Sequence, residues 1–506
     1  MKKFFNISNN IVKIFFTLFI ILYAISNILF SVHIDNLVSN RVTYNFGLDA
    51  VNIVYLVVTL LLLVMLIKKN FFRISENKLL IIFLATCLLV GLFWIFTNDI
   101  ELRELDDAYN SFRIAKSINK GNYDVLSYRT YISVYPNNIG LVTYDLINIK
   151  LFGEMGALYS IRLINLLFVL IGYYCLYAIS KILFKNNRLI NCVLIFLMFG
   201  SMQFVFYSFF VYGNCLSYSF ALLSVLFLLK FFEDNKVYQM LVSSISIILS
   251  ISIKMNSIIV LIAESIYVFL YILKNKKFIT VLFIVLSFTG MYLGTSGLQK
   301  FWGSKVDIDY NDTKLPTICW LAYGLNYDET NPGHYFNEFE VYHYDNGFNG
   351  EFTSNQAKIF INGVLNRFKE KPSVALKFYF EKFMVSWANP QYEAFDQYRE
   401  LNNSELSKNI IAGDINDFLD NYWDSISTII SIGLVAYIVK RYKKMRLFEL
   451  IGAVIVIGGF LFHSFWEVKA IYLYQYFMYL LPYAACGISL LFNDDVIIDK
   501  HEKEII

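Results

Sequence analysis

Residues 79–96 read LLIIFLATCLLVGLFWIF, a run of 18 residues without a charged side chain. Coiled into an α-helix, with a rise of about 1.5 Å per residue, this run would be about 27 Å long. That length nearly matches the roughly 30 Å hydrocarbon core of a bilayer, which a helix can cross because its backbone groups bond to one another. The stretch therefore predicts a transmembrane helix.

The same pattern recurs along the whole chain. The sequence is 57% hydrophobic and 16% charged, with a mean hydropathy of +0.52, which is more apolar surface than a soluble core of 506 residues needs. It predicts an all-α polytopic membrane protein with about twelve transmembrane helices. Two junctions, 213–215 and 254–256, leave open whether the adjoining runs cross the membrane or turn back inside it. The predicted crossings are 14–32, 51–67, 79–96, 158–183, 189–210, 216–232, 238–253, 257–273, 278–298, 425–439, 447–465 and 471–492.

Lysine and arginine are distributed unevenly between alternate short loops. With the N-terminus inside, twenty of them fall in inner segments and three in short outer turns. Because short cytoplasmic loops collect positive charge, both termini are predicted to be cytoplasmic and both long polar segments extracytoplasmic. We expect a multi-pass plasma-membrane protein with its chemistry on the outer face. Its parts would be an N-terminal membrane module (1–298) containing an outer catalytic loop (98–157), an extracytoplasmic lobe (299–424), C-terminal membrane helices (425–492) and a cytoplasmic tail (493–506).

The start of the chain resembles a secretory signal, because Lys2 and Lys3 precede the first apolar run. No small-residue cleavage site follows within that run. We therefore expect the segment to be retained as the first membrane helix.

The second long polar segment predicts a small, mainly helical lobe. Apolar periodicity extends from Gln356 to Phe368, Pro372 interrupts it, and another helix is predicted from Ser373 to about Trp387. This last helix is amphipathic. It would lie along the outer membrane surface or pack against the rest of the lobe.

The first outer loop opens with residues 101–113, ELRELDDAYNSFR, which predict a helix just above the membrane. Asp106, Tyr109 and Arg113 would share one helix face, and Asp107 would point about 100° away. One carboxylate could then accept a proton from a hydroxyl while the other orients the helix, an acceptor or a metal. Either can be the base, and we favour Asp106 because Arg113 shares its face. The alternative is a solvated acidic first turn.

Further along this loop, residues 128–144 are rich in tyrosine and asparagine. Aromatic faces stack on the apolar side of a sugar ring, while amide and guanidinium groups bond its hydroxyls. The pattern makes Arg129, Tyr135, Asn137 and Asn138 candidates for substrate binding. Tyrosine also anchors proteins at the membrane interface, which is the alternative for each single tyrosine.

Ionisable residues also lie beside or within the apolar runs, mostly toward the predicted outer face. Charge at such positions is costly and therefore indicates function. Arginine would give a lipid phosphate bidentate hydrogen bonds, and lysine would give it a point charge. Mutual pairing is the alternative, and the deeper Glu264 would only brace helices. The candidates for phosphate or substrate binding are Arg162, Lys254, His463, Glu467 and Lys469.

Several other kinds of site are not supported by the sequence. A net charge of +3, with basic residues at helix ends, argues against nucleic-acid binding. The six cysteines lie almost entirely in apolar runs, so a disulfide framework is not expected. His334 and His343 lack the spacing of a structural metal site.

Three further stretches, together with the Asp106-Asp107 pair, resemble a known class. They are Tyr135–Gly140 leading to Leu151–Gly153, Trp320–Leu325 with Gly333–Tyr335, and Trp466–Tyr472. The acidic pair after a membrane span is similar to that of GT-C class glycosyltransferases, which use lipid-phosphate sugars. The three stretches resemble wall-polysaccharide glycosyltransferases of Gram-positive bacteria, near the protein mannosyltransferases and aminoarabinose transferases.

This resemblance implies a reaction. A sugar would move from an undecaprenyl-phosphate or other polyprenyl-phosphate donor to a hydroxyl of a surface glycan or lipid-linked acceptor, with inversion and an aspartate base. No cofactor is certain, a divalent metal remains open, and a donor-synthesising glycosyltransferase would be a partner. Ile471 departs from the pattern, since similar sequences often have arginine there, so a phosphate contact would be lost or moved.

Other functions remain open on sequence grounds. A transporter or flippase of lipid-linked saccharides would need a pathway of ionisable groups through the membrane. A polysaccharide polymerase or ligase would move a whole chain from a pyrophosphate lipid. A non-catalytic scaffold would tolerate replacement of both aspartates.

Overall fold

The computed structural model describes residues 2–35, 41–48, 50–68, 75–98, 102, 107–327, 331–395, 409–410 and 413–492. Long apolar helices form most of this structure, and the predicted all-α membrane fold is confirmed. The first half of the chain contains α1 (Lys2–Leu29), α2 (Ala50–Lys68), α3 (Glu76–Thr97), α4 (Asp107–Asn119), α5 (Tyr131–Val134), α6 (Ile139–Leu183), α7 (Arg188–Gly200), α8 (Gln203–Phe206), α9 (Asn214–Asp234) and α10 (Val237–Ile253).

The second half begins with two membrane helices, continues through the lobe and ends with membrane helices. Its elements are α11 (Ile258–Asn275), α12 (Val281–Tyr292), α13 (Leu298–Gly303), α14 (Tyr310–Thr313), α15 (Ile318–Gly324), α16 (Glu338–Asp345), α17 (Gly350–Glu370), α18 (Pro372–Trp387), α19 (Asp414–Arg441), α20 (Ile451–Phe465), α21 (Ala470–Phe477) and α22 (Leu481–Phe492).

All twelve predicted apolar runs lie wholly or mostly on helices. Among the described residues, ten helices, counted with their adjoining turns, are long and apolar enough to cross a membrane. The segments Arg188–Gly200 and Gln203–Phe209 form a further pair bent by 50°, and Val237–Ile253 is a shorter apolar helix. The helices correspond to about twelve spans.

The membrane helices differ in how deeply they are packed. Of the most apolar window in Ala470–Phe492, 89% is buried, compared with 11% for Ala50–Lys68. The first of these segments therefore lies at the centre of the bundle, whereas the second presents most of its surface outward. The central segment directly follows the predicted Glu467 and Lys469 loop, so that loop is attached to the most enclosed part of the fold.

A short β-hairpin follows the first helix and was not predicted. Strands β1 (Phe30–Asp35) and β2 (Arg41–Phe46) pair antiparallel, with Phe30 opposite Phe46. The first apolar run was predicted to continue as helix to residue 32, but the helix ends at Leu29. The apolar residues that follow instead form a strand whose Val32 packs against Met384.

The lobe confirms the two helices predicted for it. Helix α17 covers the predicted run from 356 to 368, and α18 begins at Pro372 and ends at Trp387. The second half of α18 is buried in the protein, where the Trp387 ring lies 4.9 Å from that of Phe19. Its C-terminal half therefore packs against the first membrane helix, a placement that neither expectation included.

The longest helix is interrupted at Gly153. Helix α6 contains a kink where Gly153 adopts φ 71° and ψ 172°, a conformation that glycine tolerates because it lacks a Cβ. The amphipathic part before the kink folds back toward the part after it, since Ser160 Oγ donates to Asn148 Oδ1 over 3.0 Å. This arrangement connects the first outer loop to the membrane bundle.

Candidate active site

Asp107 is the first residue of α4, where the helix dipole favours negative charge. Its Oδ1 accepts a hydrogen bond from the Tyr131 hydroxyl at 2.6 Å, and its Oδ2 accepts one from the Tyr212 hydroxyl at 2.5 Å. The carboxylate is thus held by one phenol from its own loop and one from the turn before α9. Asp106, the favoured base, lies outside the described residues.

Tyr131 is itself fixed by the start of the next helix. Asn138 Nδ2 donates to the Tyr131 hydroxyl over 2.6 Å, and the 3₁₀ turn Pro136–Asn138 leads directly into α6. Desolvation and the nearby Asp107 charge raise the pKa of Tyr131 well above its usual value. The phenol therefore stays neutral and donates a hydrogen bond to the carboxylate, which positions Asp107.

Lys254 occupies the break between α10 and the following turn. Its Nζ lies 3.0 Å from the centroid of the Tyr212 ring and 5.5 Å from that of Tyr472, as expected for cation–π contacts. Only 9% of the residue is exposed, and its Nζ makes no hydrogen bond within the part of the chain that the structure describes. A buried ammonium without hydrogen-bond acceptors is costly, and an anion bound beside it would relieve that cost.

Lys254 is also part of a compact electrostatic group. Burial lowers its pKa most strongly, while the charges of Asp107 and Glu467 raise it and that of Lys469 lowers it. The side chains of two lysines and two carboxylates therefore act on one another at this end of the bundle. Sequence analysis had named all four residues as candidates, and the structure places them together.

Glu467 and Lys469 lie in the short loop between α20 and α21. Glu467 is 7% exposed, and burial raises its pKa to about 7, although the Lys469 charge opposes the shift. The Asp107 charge adds to the rise. Because this value is near neutral pH, Glu467 can change its charge, and with it the net charge of the group, under physiological conditions.

Backbone hydrogen bonds connect this loop to the lobe. The Glu467 amide donates to the Trp320 carbonyl at 3.1 Å, and the Val468 amide donates to the Gly333 carbonyl at 3.0 Å. A Cβ on Gly324 would lie 2.1 Å from the Phe465 carbonyl oxygen, so only glycine permits the close approach found here. Two of the stretches noted in the sequence, 320–335 and 466–472, thus meet.

Lys382 of α18 reinforces the same junction. Its Nζ donates to the carbonyl oxygens of Gly324, Ser464 and Trp466 at 2.6, 3.2 and 2.9 Å. Burial lowers the pKa of this lysine to about 7, and the Glu467 charge opposes that shift. His463 also contacts this loop. Its Nδ1 lies 3.0 Å from the Glu467 carbonyl oxygen and donates a hydrogen bond to it.

The structure places some sequence-predicted residues elsewhere. Arg113 is exposed, and its Nη2 donates to Asn110 Oδ1 at 3.3 Å. Arg129 is also exposed and lies against the ring of Tyr128, whose hydroxyl bonds to the lobe at Gly347. Neither guanidinium is brought to Asp107 by these contacts.

Arg162, Asn137 and Asn138 have different positions. Arg162 is fully buried, where its Nε donates to the Phe209 carbonyl at 3.1 Å and its guanidinium stacks 3.6 Å from the Phe209 ring centroid. Because this turn leads to Tyr212, Arg162 supports the site from within the bundle. Asn138 positions Tyr131, whereas the exposed Asn137 donates to Asn138 Oδ1 at 3.2 Å.

Tyr131, Tyr212 and Lys382 were not among the predicted site residues. Tyr131 lies in the tyrosine-rich stretch, and Tyr212 stands in the short polar interruption between two apolar runs. Those positions were the available signals. Their importance depends on contacts with residues 24 to 105 positions away in the chain, which a single sequence does not reveal.

His343 contributes to the packing of the lobe. His343 Nδ1 lies 3.0 Å from Thr353 Oγ1, and its Nε2 lies 2.9 Å from the Thr313 carbonyl oxygen. Within the described ranges, no group of three His, Cys, Asp or Glu side chains is arranged to hold a metal ion. The six cysteines, all described, are buried and unpaired with one another.

One family model matches the chain. It is that of the dolichyl-phosphate-mannose-protein mannosyltransferases, and it matches residues 146–292. The matched segment extends from the first part of α6 to the end of α12 and includes Tyr212 and Lys254. Among curated proteins, none matches the chain significantly. This match and the all-α polytopic membrane fold together support a membrane glycosyltransferase of the GT-C class.

Proposed function

We propose that the protein transfers a sugar from a polyprenyl-phosphate donor to a hydroxyl of a surface glycan or lipid-linked acceptor. The observation that supports this most strongly is the juxtaposition of Asp107 with the buried ammonium of Lys254 at one end of the bundle. A carboxylate accepts protons and an ammonium stabilises phosphate charge, so the two groups suit the two halves of the reaction.

The proton transfer would occur at Asp107. The acceptor hydroxyl loses its proton to a carboxylate oxygen as its own oxygen attacks the anomeric carbon. Each carboxylate oxygen can accept more than one hydrogen bond, so the bonds from Tyr131 and Tyr212 leave capacity for the acceptor hydroxyl. The two phenols fix the carboxylate during this step. Asp106, next to it in sequence, remains the alternative base.

The leaving group would depart toward the lysines. The bond between the anomeric carbon and the phosphate oxygen breaks, and its electron pair remains on the polyprenyl phosphate. Negative charge on the phosphate therefore grows in the transition state, and Lys254 and Lys469 would stabilise it. Attack on the face opposite the departing phosphate inverts the anomeric carbon.

The charge distribution of the loops supports an extracytoplasmic site. Basic residues concentrate in alternate short loops, which favours a cytoplasmic side for those loops and an outer side for the 98–157 loop and the 299–424 lobe. Both termini would then be cytoplasmic. A donor would reach the site from the outer leaflet, where its lipid remains in the membrane while its sugar meets the acceptor.

Complementation of a deletion strain tests this function. Cells would carry wild type, Asp106→Asn, Asp107→Asn or the control Asp124→Asn at equal membrane levels; Asp124 is an exposed residue of the same loop. Mass spectrometry of the surface glycan should show a sugar modification restored by wild type and Asp124→Asn but lost in one or both site variants. Full restoration by an Asp106→Asn/Asp107→Asn double variant would overturn the proposal.

A further inference from the structure

A second group of polar and aromatic side chains lies between the first outer loop and the lobe. We call Tyr135, Trp320, Tyr335 and Glu340 the lobe patch. Tyr135 Oη donates to Glu340 Oε2 at 2.8 Å, and the Tyr335 hydroxyl donates to the same oxygen. The Trp320 ring centroid is 6.0 Å from that of Tyr135. One phenol of the first loop and one of the lobe thus converge on a single carboxylate oxygen.

The lobe patch adjoins the candidate active site. The Tyr135 ring centroid is 5.3 Å from that of Tyr131, whose hydroxyl bonds to Asp107. On the other side, the Trp320 carbonyl accepts the Glu467 amide. The lobe patch therefore lies one side chain away from the proposed base and one hydrogen bond away from the loop that carries Glu467.

The lobe patch is also accessible. Tyr335 is 37% exposed, and the other three residues are half-buried. Both phenols bond to Oε2, and within the described part of the chain the second oxygen, Oε1, makes no hydrogen bond. The lobe patch thus combines a hydrogen-bond acceptor, Glu340 Oε1, with partly exposed aromatic side chains.

These features match the chemistry of a sugar ring. The apolar face of a pyranose stacks on aromatic side chains, and a carboxylate accepts hydrogen bonds from adjacent hydroxyls. The negative charge of Glu340 would repel a phosphate, which separates the lobe patch from the lysines at Lys254 and Lys469. We propose that the lobe patch binds a neutral sugar residue of the acceptor glycan, an inference that rests on the proposed transferase function.

Bound there, the acceptor would present a hydroxyl toward Asp107 while the donor phosphate lies beside Lys254. The two substrates would be sorted by charge, because the carboxylate disfavours the anionic donor. The competing explanation is that Glu340 only clamps the lobe to the first outer loop. The two explanations differ in which kinetic quantity responds to substitution.

The test uses detergent-solubilised full-length protein with lipid extract from the deletion strain as donor. Soluble glycan fragments from the same strain, which lack the modification, are the acceptor probe. Glu340→Gln and Trp320→Ala are compared with Glu338→Gln, a residue of the same helix whose carboxylate accepts from Tyr342 outside the lobe patch. The rate is measured against fragment concentration and, separately, against donor concentration. Donor consumption without any fragment reports attack by water.

We expect Glu340→Gln and Trp320→Ala to raise the fragment concentration at half-maximal rate about tenfold or more. Donor half-saturation, the fragment-free rate and the unfolding temperature should stay near those of Glu338→Gln. An unchanged dependence on fragment concentration would overturn the proposal. So would an equal fall in every rate together with a lower unfolding temperature, which indicates a clamp. Failure of the wild type to consume donor would instead contradict the proposed function.

Discussion

Lys254 places a positive charge against the face of Tyr212 in a nearly buried position, without a hydrogen-bond acceptor among the described residues. Nothing in the local helix requires a lysine there, since a methionine would fill similar space without the desolvation cost. The residue therefore costs stability, and in the proposed function the anionic donor offsets that cost. Replacing Lys254 should therefore lower the transfer activity without lowering the stability of the fold.

We predict that Lys254→Met lowers the transfer rate about 100-fold or more, because the growing phosphate charge loses a preorganised partner. The unfolding temperature should stay unchanged or rise, since a buried unsatisfied group is removed. Rate assays and thermal unfolding check both parts. Lys314→Gln, an exposed lysine of the lobe, is the matched control for loss of charge. A fall in unfolding temperature with normal activity would contradict a phosphate role.

Glu467 predicts a pH effect on donor binding. Its pKa of about 7 means that the carboxyl is mostly neutral below pH 7 and charged above it. When charged, it partly neutralises Lys254 and Lys469, so the anionic donor should bind more weakly. Donor half-saturation should therefore rise several-fold from pH 6 to pH 8.

The control is Glu467→Gln, which stays neutral throughout this range. Its donor half-saturation should remain low and lose most of the pH dependence. Kinetics at several pH values, with acceptor saturating, provide the measurement. The same pH dependence in wild type and Glu467→Gln would refute this role for the carboxyl.

Among the elements, the loop between α20 and α21 carries two of the four charged site residues, and lobe contacts hold it in place. Lys382 bonds to carbonyls on both sides of the junction, and Gly324 allows the two backbones to approach. The lobe therefore contacts the loop that carries Glu467 and Lys469. A change at the junction should affect catalysis without touching a charged group.

Gly324→Ala tests that connection. Its Cβ would lie 2.1 Å from a backbone carbonyl oxygen, so the loop or the lobe must shift, at a cost of about 1–3 kcal/mol in unfolding free energy. We expect a lower unfolding temperature and a loss of transfer activity. Gly363→Ala in α17 is the control, because no atom lies within 4 Å of its Cβ. That helical substitution should stabilise the protein by about 0.5–1 kcal/mol and leave activity intact. Normal activity in Gly324→Ala would show that the junction does not position the site.

For the whole molecule, the sequence was sufficient to predict the apolar helices and the two long polar segments. Length and absence of charge determine a membrane helix locally, so runs such as 79–96 were readily located. The hairpin at 30–46 was missed because its first strand continues an apolar run and its stability depends on α18, more than 300 residues away.

The sequence predicted only part of the candidate site. Lys254, Glu467 and Lys469 stood out because charge is costly beside apolar runs, and they lie together in the structure. Arg113 and Arg129 had suitable chemistry but point outward. Tyr212 and Glu340 were missed because their partners come from distant segments.

The orientation of the molecule makes a prediction of its own. Lys358→Cys in the lobe and Lys236→Cys in a predicted inner loop both replace exposed lysines. A membrane-impermeant thiol reagent applied to intact cells should label the first variant, and the second only after permeabilisation. The wild type is the control, since its six cysteines are buried. Labelling of Lys236→Cys in intact cells would reverse the proposed orientation.

The most direct test of the central claim is a transfer assay in detergent, where no compartments exist and transport cannot contribute. Donor lipid and glycan from the deletion strain are mixed with purified wild type or the Asp106→Asn/Asp107→Asn double variant, and the sugar gained by the glycan is measured with the polyprenyl phosphate released. The account predicts equal amounts of both products with wild type and a loss of at least about 100-fold in the variant. Equal product formation by both proteins, or none by folded wild type with its full substrates, would contradict it.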